Sequence, residues 1–412
     1  MFSQNSPQRG SAEKDRRRYR EGMRVAAFVL IMSMQISAQV LDPKTYSTTG
    51  KPTEAMATPD GQYVLVTVDT GGSSGIDVFH LEGDKLKRTA FQALGNDGAQ
   101  GILLLPGTRT LAVGLSNQGV AFLPLDEALT GKAKVNVLPQ GDRSGTGYLA
   151  ATPDGQFLFA ANEYGDGGNT SVIALHKDAQ GQLHPETIGH IPTTRTTPGV
   201  TLSPDGTRLF AVGEVEPPNV GDRLPGSDNK VLRHDGCVQG QPGRGMPTGA
   251  LFEMDVTKMS MWKPGVDAPE IRAARAGWTN AGCSPVREAV NADGSLVYVT
   301  ARGDNKVLVF DIKKLETDPN HAFVRSIDSG GDAPVGLKLF DDGKKLLVAN
   351  SNRFRGGPGN ASVFDVSAEK PVLLQTIKTG EFPRNITASP DGATLYLTIF
   401  NGNELMVLRR KK

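Results

Sequence analysis

Two carboxylates and four guanidiniums recur at matched places in this chain. Glu163 stands nine residues after Asp154, Glu214 nine after Asp205, and Arg302 nine after Asp293. Arg287 and Arg384 stand six and seven residues ahead of Asp293 and Asp391, and Arg353 lies in a Gly-rich turn at a similar height in its own unit. Guanidinium forks grip carboxylates bidentately and stabilise the oxyanion that forms when a carbonyl is attacked. A glutamate whose pKa is lifted by burial or by its partner can take a proton from water. The set suits an anionic or carbonyl-bearing ligand, with Glu163 or Glu214 as candidate general base and the arginines as candidate clamp. The competing reading is that these side chains pair and satisfy one another.

The elements that would bring them together are repeats. Thr-Pro-Asp-Gly occurs at 58–61 and 152–155, and Ser-Pro-Asp-Gly at 203–206 and 389–392. Weaker copies are Asn291–Gly294, Phe340–Gly343 and Leu105–Gly107. Anchors at Asp60, Pro106, Asp154, Asp205, Asp293, Asp342 and Asp391 are separated by 46, 48, 51, 88, 49 and 49 residues. Pro presets φ, Asp bonds back to the backbone and Gly takes positive φ, so each anchor is a turn and not an acid. Each sits between β-branched runs such as Asn385–Ala388 and Leu296–Thr300. Three or four short strands per period, seven times over, predict an all-β, seven-bladed β-propeller. The last unit lacks an outer strand, and the segment near Thr45–Pro52 is expected to supply it and close the ring. No convincing amphipathic helix is seen. Superposing the units puts Asp69, Leu115, Glu163, Glu214, Arg302, Ser351 and Phe400 around one mouth. Glu54 and Asp69 are read as solvated structural positions.

The two ends of the composition differ. Residues 1–38 carry the run Arg16–Arg18, an apolar stretch Val25–Ile36 and a small-residue exit at Ala38, which reads as a secretory signal peptide. Met23 is an alternative start. Residues 39–412 are then one propeller, exported to the periplasm or the extracellular space. The run is short for a bilayer span. Of 45 Lys+Arg and 44 Asp+Glu, seven and three lie in 1–38, which leaves 38 and 41 and a net charge of −3. That balance gives no field for nucleic acid. The chain is read as a monomer without metal or cofactor: nucleotide-binding loops, HExxH and Gly-x-Ser-x-Gly are all missing.

The 88-residue step implies a loop insertion at about 214–249, rising on the mouth face. Cys237 lies in it, and Cys283 precedes the next unit. An export signal and this proximity predict a Cys237–Cys283 disulfide. Closing about 47 residues would stabilise by roughly 4 kcal/mol in the chain-entropy model. Two buried free thiols or a metal-binding thiol pair are the other readings. Gly165–Asn169 is read as a turn before a cation site, and Trp262 and Trp278 as packing anchors or sugar-stacking surfaces.

The segments Ala292–Arg302 and Asp391–Thr398 resemble YVTN-type repeats, and Phe382–Asn385 leading into Ser389–Gly392 is similar to the closing repeat of the 6-phosphogluconolactonase-like lactonases. The resemblance spans about 45–409. It implies a seven-bladed propeller and, in some members, lactone hydrolysis or cycloisomerisation; other members are secreted without an assigned reaction. None of the six histidines (His80, His176, His184, His190, His234, His321) falls at a mouth position, which departs from a His-dependent cycloisomerase. The first functional reading is a module holding a small anionic or lactone-type ligand, or a protein segment. The second is a lactone hydrolase at the same mouth.

Overall fold

The computed structural model describes residues 40–96, 98–141, 144–163, 168–193, 196–214 and 248–411, and the backbone of 237–238 and 245–246. The leader read at 1–38, His234, and Gly165, Asp166 and Gly167 of the expected turn lie outside the described residues.

Seven four-stranded antiparallel sheets form the blades. Their inner strands are Lys51–Ala57, Ala99–Leu104, Thr146–Ala151, Gly199–Leu202, Pro285–Val290, Pro334–Phe340 and Pro383–Ala388 for blades 1 to 7. The second strands, such as Tyr63–Asp69 and Leu296–Ala301, are buried along most of their length. They read as continuous β-branched runs because a blade is covered on both faces by its neighbours. Seven apolar clusters occupy the seven blade interfaces, for example Phe159, Ala211 and Trp278 between blades 3 and 4.

The anchors are the turns the sequence implies. Thr58 donates to Asp60, whose Oδ1 accepts from the Gln62 amide at 3.0 Å, and Gly61 adopts φ 69°. The Thr58 hydroxyl holds the Asp60 carboxyl below the usual carboxylate range. Blade 2 has no such Asp. There Leu105 accepts from the amide of Thr108 and donates to the Thr110 carbonyl, the same spacing that Thr58 makes with Gly61 and Tyr63, so Gly107 and not Pro106 stands at the Asp position. The residue at the mouth is therefore Ser116, not Leu115, which is wholly buried.

In six blades the inner strand slips register against the second strand, as between Pro285 and Glu288. A threonine of the second strand absorbs the freed backbone groups in three of them. The Thr300 hydroxyl accepts from the Arg287 amide at 3.1 Å and donates to the Val335 carbonyl of the next blade at 2.9 Å. Thr67 and Thr398 repeat the arrangement. Each such bulge turns side chains that strict alternation would place elsewhere.

The ring closes through Leu41–Ser47, which pairs antiparallel with Glu404–Arg410 from Leu41↔Arg410 to Ser47↔Glu404. The Gln375 side chain accepts from the amides of Val40 and Leu41, both at 2.8 Å, and donates to the Leu41 carbonyl. This pinned strand removes two open sheet edges. Among the described residues three short helices, α1 (Leu125–Ala128), α2 (Ala268–Ala274) and α3 (Ile312–Thr317), also occur. None is long enough to show a helical period in the sequence. Asp267 and Asp311 cap α2 and α3 by accepting from Glu270 and Lys314. Trp262 and Trp278 are buried in the interface of blades 3 and 4, with Trp278 stacked 6.2 Å from Phe252.

Candidate functional site

One backbone hydrogen bond, repeated, sets the height of the mouth. In six blades the residue after the second strand donates its N–H to a carbonyl just ahead of the inner strand; in blade 1 the Thr70 amide donates to Ser73 instead. Glu163 donates to Gly145 (3.2 Å), Glu214 to Thr196 (3.0 Å), Arg302 to Ser284 (3.2 Å), Ser351 to Ala333 (2.9 Å) and Phe400 to Phe382 (2.9 Å). Ser284, Ala333 and Phe382 each precede a proline and adopt φ of 49°, 54° and 58°. That conformation is uncommon for residues other than glycine. It carries the chain sharply from one blade into the next and sets the Phe382 ring at the rim.

Glu163, Glu214, Arg287, Arg302, Arg353 and Arg384 all line one cavity of about 420 Å³. Arg302 is 7% exposed, its Nη2 lies 2.8 Å from Glu214 Oε1, and it donates to Ser284 Oγ at 2.8 Å. Burial pulls its guanidinium below the usual arginine range, and Glu214 opposes the shift. Arg287 stacks on Tyr148 with its guanidinium carbon 3.5 Å from the ring centroid, and donates to the carbonyls of Pro198 and Val286. Arg384 lies 4.8 Å from the Phe400 centroid and donates to Gln100 Oε1 at 2.7 Å, reaching across blade 1. Arg353 is exposed, with Phe382 at 5.9 Å. Among the described residues, Arg302 is the one member of the four in an ion pair. The Nε atoms of Arg287 and Arg302 have no hydrogen-bond partner there.

Of the aromatic rim, the anchors place Phe400 but not Phe382. Phe382 meets Phe400 edge-on at 5.6 Å, and Glu381 lines the same cavity. Glu381 ends the outer strand of blade 6 and Phe382 is the connection to blade 7, neither of which carries an anchor; Phe382 was visible only through the family resemblance. Two solvated positions also need correction or confirmation. Asp69 accepts from Gly71 in an open turn. Glu54, by contrast, is enclosed at the axis: its carboxyl accepts from the Ile102 amide at 2.9 Å and from Asn385 Nδ2 at 2.8 Å, and burial pushes its pKa up to about 7. The inner-strand bulge turns it inward.

Cys283 is buried at the end of the outer strand of blade 4, and its N–H donates to Asp304 Oδ2 at 2.8 Å. The Cys237–Val238 backbone pairs with Gly245–Met246 and runs beside the 302–304 turn that packs on Cys283. The Cys237 side chain lies outside the described residues.

Ring and mouth together define a seven-bladed β-propeller with a charged axial cavity. No family model and no curated protein matches the chain. Among solved structures it is similar to Kuenenia stuttgartiensis hydrazine synthase, at 14% identity and TM-score 0.58 over 88% of this chain and 96% of that one. It is similar to a chain of a mitotic checkpoint complex, at 14% identity and TM-score 0.59, covering 90% and 95%. It is also similar to the β-propeller domain of Myceliophteria thermophila Cps50 (Swd1), at 10% identity and TM-score 0.59, covering 89% and 98%. These likenesses establish the fold. Among the described residues no helix is long and apolar enough to cross a membrane.

Proposed function

We propose that the mouth binds a small anionic or carbonyl-bearing ligand, held by Arg287, Arg353 and Arg384. One observation carries this reading: three of four guanidiniums at one cavity have no carboxylate partner among the described residues. Unpaired guanidiniums beside aromatic faces are a preorganised receptor for a planar anion. Titration with mono- and dicarboxylates tests it. Binding should weaken about tenfold in Arg384→Ala, and an absence of binding to every carboxylate would refute the reading. A protein segment presenting an acidic side chain would use the same groups; one of the similar structures is a chain of a mitotic checkpoint complex.

A second reading is lactone hydrolysis, as the resemblance to YVTN and 6-phosphogluconolactonase-like proteins implies. It is favoured by Glu163, a half-buried carboxylate in the same cavity without an ion pair among the described residues. Glu163 would serve as base and the arginines as oxyanion clamp, with Glu214 committed to Arg302. Turnover of a lactone panel, lost in a folded Glu163→Gln variant, distinguishes hydrolysis from binding. We further propose export to the periplasm or beyond, a monomeric state, and a Cys237–Cys283 disulfide that staples the insertion over the mouth. The bridge is supported by the nearness of the 237–238 backbone to the turn packed on Cys283, and by the lack of a free cysteine among the described residues.

A further inference from the structure

Behind the mouth lies a second cavity, of about 390 Å³, along the ring axis. Its charged and titratable lining groups are Glu54 from blade 1, Tyr148 from blade 3, Arg287 and Glu288 from blade 5, and Lys338 from blade 6. Arg287 lines both spaces and so stands between them. Glu54 is satisfied by Ile102 and Asn385. Glu288 is not: it is 9% exposed, and neither carboxyl oxygen has a hydrogen-bond partner among the described residues. Its Oε2 lies against Gly199, where an added Cβ would come within 2.5 Å of it. Glycine at 199 is what leaves the carboxyl room. Lys338 also makes no hydrogen bond or ion pair among the described residues.

Enclosing a carboxyl and an ammonium without partners is costly for both. Here they face one space without pairing to each other. The counterparts that would satisfy them are a cationic donor for Glu288 and an anion for Lys338. A metal is a poor counterpart, because no group of three or more His, Cys, Asp or Glu among the described residues is placed to hold one. A single molecule bearing both charges satisfies both groups at once. We propose that the axial cavity is a binding site for a small zwitterion, an amino acid whose ammonium meets Glu288 and whose carboxylate meets Lys338.

The protonation states agree with this assignment. Burial pushes Glu288 up to about 8, opposed by Arg287 alone, and pulls Lys338 down, opposed by Glu54. Near pH 7, with Arg287 as its one opposing charge, the Glu288 carboxyl therefore holds a proton. An arriving ammonium favours the carboxylate, so binding releases that proton to solvent.

Calorimetry on the full chain at pH 7 tests the site, with glycine, β-alanine, 4-aminobutanoate and 6-aminohexanoate as probes. Butylammonium and butanoate serve as single-charge controls. At least one zwitterion should saturate a site that Arg384→Ala leaves unchanged, distinct from carboxylate binding at the mouth, with heat that varies with the ionisation enthalpy of the buffer. Each control should bind at least about tenfold more weakly. Glu288→Gln and Lys338→Met should each weaken the zwitterion by about tenfold or more while leaving carboxylate binding at the mouth unchanged. Should Glu288→Gln not fold, Lys338→Met carries the same comparison. The proposal is overturned if no zwitterion binds at millimolar concentration, if the controls bind equally well, or if the variants bind as the parent does.

Discussion

Glu214→Gln separates a receptor from a hydrolase at the mouth. In the parent, Glu214 holds Arg302 through a 2.8 Å contact between a 7% exposed guanidinium and a 22% exposed carboxylate. Glutamine keeps the shape and can still accept one hydrogen bond, but it carries no charge. Two unit charges at about 4 Å attract by about 4 kcal/mol at an effective dielectric of about 20. Most of that is offset because the carboxylate no longer has to be dehydrated, so the net loss of stability should be about 1–2 kcal/mol. The freed guanidinium then becomes a fourth unpaired fork in the cavity. One charge-assisted hydrogen bond contributes about 1.5–3 kcal/mol, so carboxylates should bind at least about tenfold tighter to this less stable variant. Calorimetric titration with a dicarboxylate, together with thermal unfolding, reads both effects. A folded Glu214→Gln protein that binds carboxylates no better, or worse, refutes the electrostatic reasoning. Loss of lactone turnover by about a hundredfold or more would instead make Glu214 a base.

Stability should fall as pH rises from about 4.5 to 8, because Glu54 and Glu288 have folded pKa values raised to about 7 and about 8. In that window the native state binds more protons than the unfolded chain, so Glu54 contributes up to about 3 kcal/mol and Glu288 up to about 5 kcal/mol that is lost by the pH at which each ionises in the folded protein. Melting curves of Glu288→Gln against pH should be flatter than those of the parent. Thr300→Val should cost about 1–3 kcal/mol in denaturant unfolding, since it leaves the Arg287 amide and the Val335 carbonyl without their shared hydroxyl. Gln375→Ala should loosen the closing strand, seen as faster amide exchange at Val40 and Leu41 with the other blades unchanged.

The ring was legible because Pro-Asp-Gly chemistry marks one turn per blade at nearly constant spacing. The same register placed Glu163, Glu214 and Arg302 at one height, which the repeated backbone hydrogen bond confirms. Closure by the N-terminal segment followed from counting strands in the last unit. Leu115 was misplaced because blade 2 has no Asp to mark the turn, and Pro106 stands one residue ahead of the position that Asp60 holds in blade 1. Glu54, Glu288 and Lys338 could not be assigned to the axis, since a bulge in the inner strand cancels the two-residue alternation on which such assignments rest. Phe382 was hidden for another reason: it sits in a connection that has no anchor, at a positive φ that its residue type does not advertise.

The seventh blade is a joint made from opposite ends of the polypeptide, with Leu41 lying beside Arg410. Six sheets are complete within contiguous stretches, but this one joins residues 41–47 to a strand more than 350 positions further along. Without it blades 1 and 6 each present an uncovered flank, and the apolar side chains around Val64 and Phe340 have no neighbour. The contacts that close the circle are thus the longest-range pairing among the seven sheets, and both cavities on its axis are complete only with them in place.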